Sequence, residues 1–215
     1  MKRQKKSDSA PLAAPEKTVL ILRSCNAQLQ SYGGFQWPES GPVSAPDWKP
    51  NVACGNGLHG FLWGEGDSSL ADFGETSKWL VVSVVQSSIV DIGGKVKYPS
   101  GIVVFCGDRI AAGKYVVDNG GFGRRVISGT ATAGDAGTAT AGARGTATAG
   151  YAGTATAGDD GTATAGDAGT VAIHHWNGKR WKLKIATIKD EDGDGDLEPN
   201  AKYRLNNNGE FVKVE

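Results

Sequence analysis

Between Gly129 and Thr170 the phrase Gly-Thr-Ala-Thr-Ala-Gly returns every eight residues, and only the pairs Asp135-Ala136, Ala143-Arg144, Tyr151-Ala152, Asp159-Asp160 and Asp167-Ala168 vary. Few folds accept such a phrase. In an extended strand successive side chains point to opposite faces, so both threonines of each octad share one side and both alanines the other. The glycines and the variable pair supply turn chemistry, because Gly tolerates positive φ and Asp hydrogen-bonds its own backbone. Two octads then close one flattened coil. Stacking coils at about 4.8 Å pairs each strand with its equivalents above and below, which is a thin β-solenoid of about two and a half coils. Alanine is invariant because a larger side chain would wedge apart two sheets brought this close. A flexible linker is the competing reading, but a linker does not need threonine at every second position in a fixed register.

Open solenoid ends are exposed sheet edges that recruit other chains, so caps are required. The flanking segments stand where caps belong; alternatively a second chain covers a Thr face or an end, making a homo-oligomer or a complex with another protein. Before the repeats, "TVLIL", "WLVVSVV", "SIVDI" and "GIVVFCGDRI" are short, β-branched runs bounded by turn residues and read as strands. One short helix fits "SSLADFGETSKWL". The passage from Ser31 to Gly60 is rich in Gly, Pro and Trp and reads as a long functional loop. After the repeats, Asn177-Gly178 and Asn208-Gly209 each sit between strand-like runs and predict two hairpins. The expected fold is mostly β: an α+β N-terminal domain over 18–128, a short solenoid over 129–170 and a β-hairpin cap over 171–215. Residues 1–17, basic and then rich in Ala, Pro and Ser, read as a disordered arm.

Basic and acidic residues balance at 23 each, so overall charge selects neither nucleic acid nor an anionic membrane as partner. No run is long and apolar enough for a membrane span, and "APLAA" is too short for a signal-peptide core. Three cysteines without close spacing fit a reducing compartment, and the cytoplasm is the expected location.

"AGYAGTATAG" resembles the repeats of bacterial ice nucleation proteins, whose sixteen-residue unit is two such octads. The resemblance implies a solenoid whose Thr-x-Thr rows face ice or another flat partner, here Thr130, Thr132, Thr146, Thr148, Thr162 and Thr164. Tyr151 stands alone where those repeats usually carry a tyrosine ladder. The segment with "CGNGLHG" is also similar to an uncharacterised family of bacteria and their phages, which implies an assembly role and, for a phage-encoded chain, a place in the virion.

Candidate chemistry is sparse. Trp37 and Trp48 flank a loop-rich pocket with Cys54 and His59, where an imidazole could activate a thiol. Together with Cys25 and Cys106, Cys54 and His59 would make a Cys₃His zinc set, although the usual paired spacings are absent. The order Arg23-Ser24, then "GLHGFLWG", then Glu65 or Glu75 is similar to ADP-ribosyltransferases, a resemblance that implies NAD handling by Arg23, His59 and a glutamate. The late Gln/Glu-x-Glu element of those enzymes is missing. "DEDGDGDLE" offers Asp190, Asp192 and Asp194 at alternate positions like the first half of a calcium loop, but Ala201 stands at the twelfth position. "HHW" beside "GKRWKLK" could touch a phosphate backbone, and a half-exposed strand face explains it more simply. The expectation is therefore a structural or binding protein without catalytic residues or cofactor, against which zinc, calcium and NAD are the alternatives.

Overall fold

The computed structural model describes residues 16–214, so most of the basic arm lies outside the described residues. The chain is mostly β, and the described residues build three sheets with no closed barrel among them. The first sheet uses β1 (Thr18–Cys25), β2 (Gly41–Ser44), β3 (Leu58–Leu62), β4 (Lys78–Val85), β5 (Val90–Asp91), β6 (Val96–Tyr98) and β7 (Ser100–Gly107). Their order is β2-β7-β4-β1-β3-β6-β5, and every pairing is antiparallel. One face buries Ile21, Leu80, Val82 and Tyr98 against Leu29 and Trp37 of the following loop. The other buries Leu22, Trp79 and Val81 against α1 (Arg109–Val116) and Val126-Ile127.

Two expectations are corrected here. The helix lies at Arg109–Val116 and not in "SSLADFGETSKWL", which holds a 3₁₀ turn at Ser68–Leu70 and the start of β4. The Asp108 carboxylate accepts from the amides of Ile110 and Ala111 and thereby starts α1, so "GIVVFCGDRI" is a strand followed by a capped helix. The passage from Ser31 to Gly60 is not featureless either, since it holds β2 and the start of β3.

Each octad contributes one strand: β8 (Thr130–Thr132), β9 (Thr138–Thr140), β10 (Thr146–Thr148), β11 (Thr154–Ala157) and β12 (Thr162–Thr164). Alternate strands pair in parallel and in register. Thr146 lies opposite both Thr130 and Thr162, and Thr154 opposite Thr138 and Thr170. The pairing continues through the turns, where Ala136, Arg144 and Ala152 donate to the carbonyls of Tyr151, Asp159 and Asp167. Ala139, Ala147, Ala155 and Ala163 point inward and are buried, as the alternation requires. Two ladders with an alanine core between them result.

The turns contain a third correction. Positive φ falls on the second variable position, at Ala136, Arg144, Ala152, Asp160 and Ala168, with values of 50 to 56°, and not on the framework glycines. Those glycines answer to close approach instead. A Cβ at Gly158 would lie 2.5 Å from the carbonyl carbon of Gly142 in the coil below, whereas one at Gly134, which has no coil below it, would meet nothing within 4 Å.

The ladder runs past the last octad into β13 (Thr170–Trp176), whose Val171 and Ile173 replace inward alanines. β14 (Trp181–Thr187) folds back antiparallel on β13 at the edge of that four-stranded sheet. β15 (Lys202–Leu205) pairs antiparallel with β12 and with β16 (Phe211–Val214), extending the other sheet to five strands. Both hairpins expected from Asn-Gly are therefore present, and they cover the C-terminal edges of both ladders. At the opposite end Val126–Gly129 forms a turn equivalent to Gly142–Gly145, with Ser128 donating to the Ala143 carbonyl. There Arg144 reaches back to the loop before β4, its guanidinium 4.1 Å from the Phe73 ring centroid, while Arg109 Nη1 donates to the Arg144 carbonyl.

Candidate functional site

The sequence-predicted residues fall in three places. The first is a cavity of about 1090 Å³ at one end of the seven-stranded sheet. Because β1 runs antiparallel to β3 with Leu22 opposite Phe61, Arg23 and His59 come together. Arg23, Trp37, Cys54 and His59 all line the cavity, joined by Phe35, Asp72 and Lys95. Arg23 Nη1 donates to the His59 carbonyl at 2.6 Å, and its guanidinium lies 4.7 Å from the Trp37 ring centroid. Burial, then the charges of Lys95, Arg23 and Lys97, push the His59 imidazole down to about 4. It is neutral at physiological pH.

The remaining candidates sit elsewhere. Glu65 faces away, its carboxylate accepting from Arg124 Nη1 at 2.9 Å and from the Arg125 amide at 3.1 Å. The glutamate demanded by the transferase layout thus does not join Arg23 and His59; the carboxylates at the cavity are Asp47 and Asp72. Trp48 stands behind the lining, within 5.8 Å of Lys97 Nζ. Lys97 itself is fully buried, with its ammonium satisfied by Asn51 Oδ1 and the carbonyls of Ala53 and Gly55. Burial raises the Cys25 thiol, which disfavours a thiolate there. Among the described residues no three His, Cys, Asp or Glu side chains are grouped as metal ligands, and the structure gathers neither the Cys₃His set nor Asp190, Asp192 and Asp194 into such a group. The Asp190 carboxylate instead accepts from the amides of Asp192 and Asp194, at 3.0 Å each.

The second place is the outward face of the five-stranded sheet. There Thr130, Thr146 and Thr162 form one row and Thr132, Thr148 and Thr164 a second, and the Thr162 hydroxyl donates to that of Thr146 at 3.1 Å. The third place is the strand pair that the sequence reading treats as a half-exposed strand face. On the four-stranded sheet, rows containing Thr154, Thr156 and Thr170 continue across the β13–β14 pair, where Thr170 faces Thr187, Ala172 faces Ile185 and Trp176 faces Trp181. Ile185, Trp181, Leu183 and Trp176 are exposed there at 61, 55, 46 and 45%. The signal was present in "WKLKI", whose alternation separates Trp181, Leu183 and Ile185 from Lys182 and Lys184.

Residues 19–117 match the family model described as Domain of unknown function (DUF7666). About half of the chain is similar to ice nucleation proteins. The similarity is 35% over 103 residues to the protein of Pseudomonas fluorescens, covering 47% of this chain and 8% of that protein. It is 35% over 100 residues to that of Pseudomonas syringae, covering 46% and 9%, and 34% over 104 residues to ice nucleation protein InaU of Pantoea ananas, covering 47% and 10%. The chain thus spans a tenth or less of the length of these curated relatives. No solved structure matches. Among the described residues no helix is long and apolar enough to cross a membrane.

Proposed function

We propose that this chain is a non-enzymatic structural and binding protein whose repeats form a short capped β-solenoid that docks on a second copy of the chain. The observation that supports the reading is the apolar stripe of Trp176, Trp181, Leu183 and Ile185, which continues the threonine rows of one sheet onto its edge strand. Apolar groups gathered on one exposed face mark an interaction surface. A two-fold axis would bring the same stripe of two copies face to face. Light scattering of the purified chain at several concentrations tests it. The full chain is expected to self-associate, and a Trp181→Lys, Ile185→Lys double variant, checked for unchanged circular dichroism, is expected to be monomeric. A monomer in both forms, or an oligomer that ignores the substitutions, would overturn the reading.

The six aligned threonines of the five-stranded sheet favour a second reading, ice binding. Three rungs spaced about 4.8 Å apart present an area on the order of 100 Å², which suits weak adsorption and is far too small for nucleation. Inhibition of ice recrystallisation that disappears in Thr148→Lys would support it.

A further inference from the structure

The cavity of the N-terminal sheet has a chemistry that the docking reading does not use. Three buried hydrogen-bonding groups lack a protein partner among the described residues: Arg23 Nε, Trp37 Nε1 and Tyr98 Oη. Trp37 is only 2% exposed, and both it and Arg23 line the cavity. Tyr98 shares their buried cluster and lies close enough to Arg23 for the guanidinium charge to bear on its phenol. Leaving such donors unpaired costs about 1–3 kcal/mol each, so their concentration around one arginine needs a cause.

The two cations of the lining are the second observation. Arg23 and Lys95 both line the cavity, and neither forms an ion pair among the described residues. The two carboxylates at the cavity keep their charge but turn their oxygens to neutral donors of the surrounding loops and not to either cation. Asp47 accepts from Asn56 Nδ2 and from the Gly57 amide at 3.1 Å each, and Asp72 accepts from the Gly74 amide at 2.9 Å. His59 carries no charge to offset or add to the two cations. What remains is a cavity lined by two cations that form no ion pair, with unpartnered N–H groups buried in its wall at Arg23 and Trp37, an aromatic surface at Phe35, and room for a ligand of ordinary metabolite size.

We propose that this cavity binds a small organic anion, its carboxylate or phosphate held by Arg23 and Lys95. An oxyanion accepts directional bonds from a guanidinium fork and a point charge from an ammonium. The planar remainder of the ligand has Phe35 to lie against.

Calorimetric titration of the full-length protein tests the proposal, with inorganic phosphate, adenosine monophosphate and benzoate as probes at constant ionic strength held by chloride. Saturable binding of at least one probe is expected, and preference among the three separates phosphate from carboxylate ligands. Arg23→Lys keeps the charge but removes Nε and the planar fork, and Lys95→Gln removes the half-exposed cation. Each is expected to weaken binding about tenfold, while added salt weakens it further. If Arg23→Lys does not fold, Lys95→Gln decides alone. No saturation by any probe up to on the order of 10 mM, or undiminished binding in the folded variants, would overturn the proposal. The readout is independent of oligomeric state, so failure here and failure of the docking reading are distinguishable.

Discussion

Gly158 and Gly134 occupy the same place in the octad phrase, in opposite turns of the array, and a coil lies beneath the first and none beneath the second. A methyl added at Gly158 would stand 2.5 Å from the Gly142 carbonyl carbon and 2.7 Å from Ala143 Cα, where real Cβ atoms keep at least 3.0 Å. Every one of those neighbours is backbone, so no side chain can swing aside and the two coils must part by about 0.5 Å or more. The bonds that cross this gap are Gly158 N–H to Gly142 O at 3.1 Å, Arg144 N–H to Asp159 O at 2.8 Å and Ala141 N–H to Thr156 O at 2.9 Å. Weakening three ladder bonds at about 1 kcal/mol apiece gives roughly 3 kcal/mol of destabilisation for Gly158→Ala. In a chain of this size that corresponds to a fall of about 6–12 °C in Tm. Gly134→Ala meets open space at a φ that Ala adopts freely, and is expected to be neutral or to stabilise by up to about 1 kcal/mol. Thermal unfolding followed by circular dichroism measures both. Equal shifts in the two variants would refute close stacking as the reason for the framework glycines.

Ala147 is wholly buried, whereas Thr148 points outward. Ala147→Leu should therefore cost about 1–3 kcal/mol by overpacking and Thr148→Ser a fraction of that, and equal urea midpoints would contradict an alanine core. His59 is held near 4 against an ordinary 6.5, so between those values the unfolded chain takes up a proton that the folded chain refuses. Its contribution to stability is complete above about pH 6.5 and lost as pH falls toward 4, so the pH slope of the urea midpoint in this window should flatten in His59→Asn. An unchanged slope would place the acid sensitivity elsewhere.

How much of this was legible in the sequence depended on how local the cause is. The ladders were legible, because a two-residue alternation inside an eight-residue period fixes face and repeat length together. The glycines were not, because their constraint comes from residues about sixteen positions away in sequence, Gly158 over Ala143 for instance, and turn chemistry offered a ready local explanation. The helix was hidden for a similar reason: "VVFCG" and "DRIAAG" look continuous until Asp108 is recognised as a cap that ends one element and begins another. At the cavity, Arg23, Trp37, Cys54 and His59 were each singled out. Their convergence, and the addition of Lys95, depended on the order β1-β3-β6, which no spacing in the chain reveals.

The repeats' thin interior explains where the chain places its larger apolar residues. Inward alanines contribute little burial per coil, and ordering sixteen residues per coil has a large entropic cost, so the middle of the array is poorly able to stand alone. Larger side chains appear where the phrase breaks. Val126 and Ile127 are buried in the turn before the first octad, and Val171, Ile173 and Ile188 are buried where the last coil meets the hairpins. The one arginine among the variable pairs, Arg144, is likewise spent at the junction, stacked on Phe73 and paired with Asp160 of the coil above at 3.2 Å. Support is thus concentrated at the two ends, and the uniform octads between them need only transmit register. Loss of either anchor should be felt along the whole array, because each coil's strands are paired only through the coils next to them.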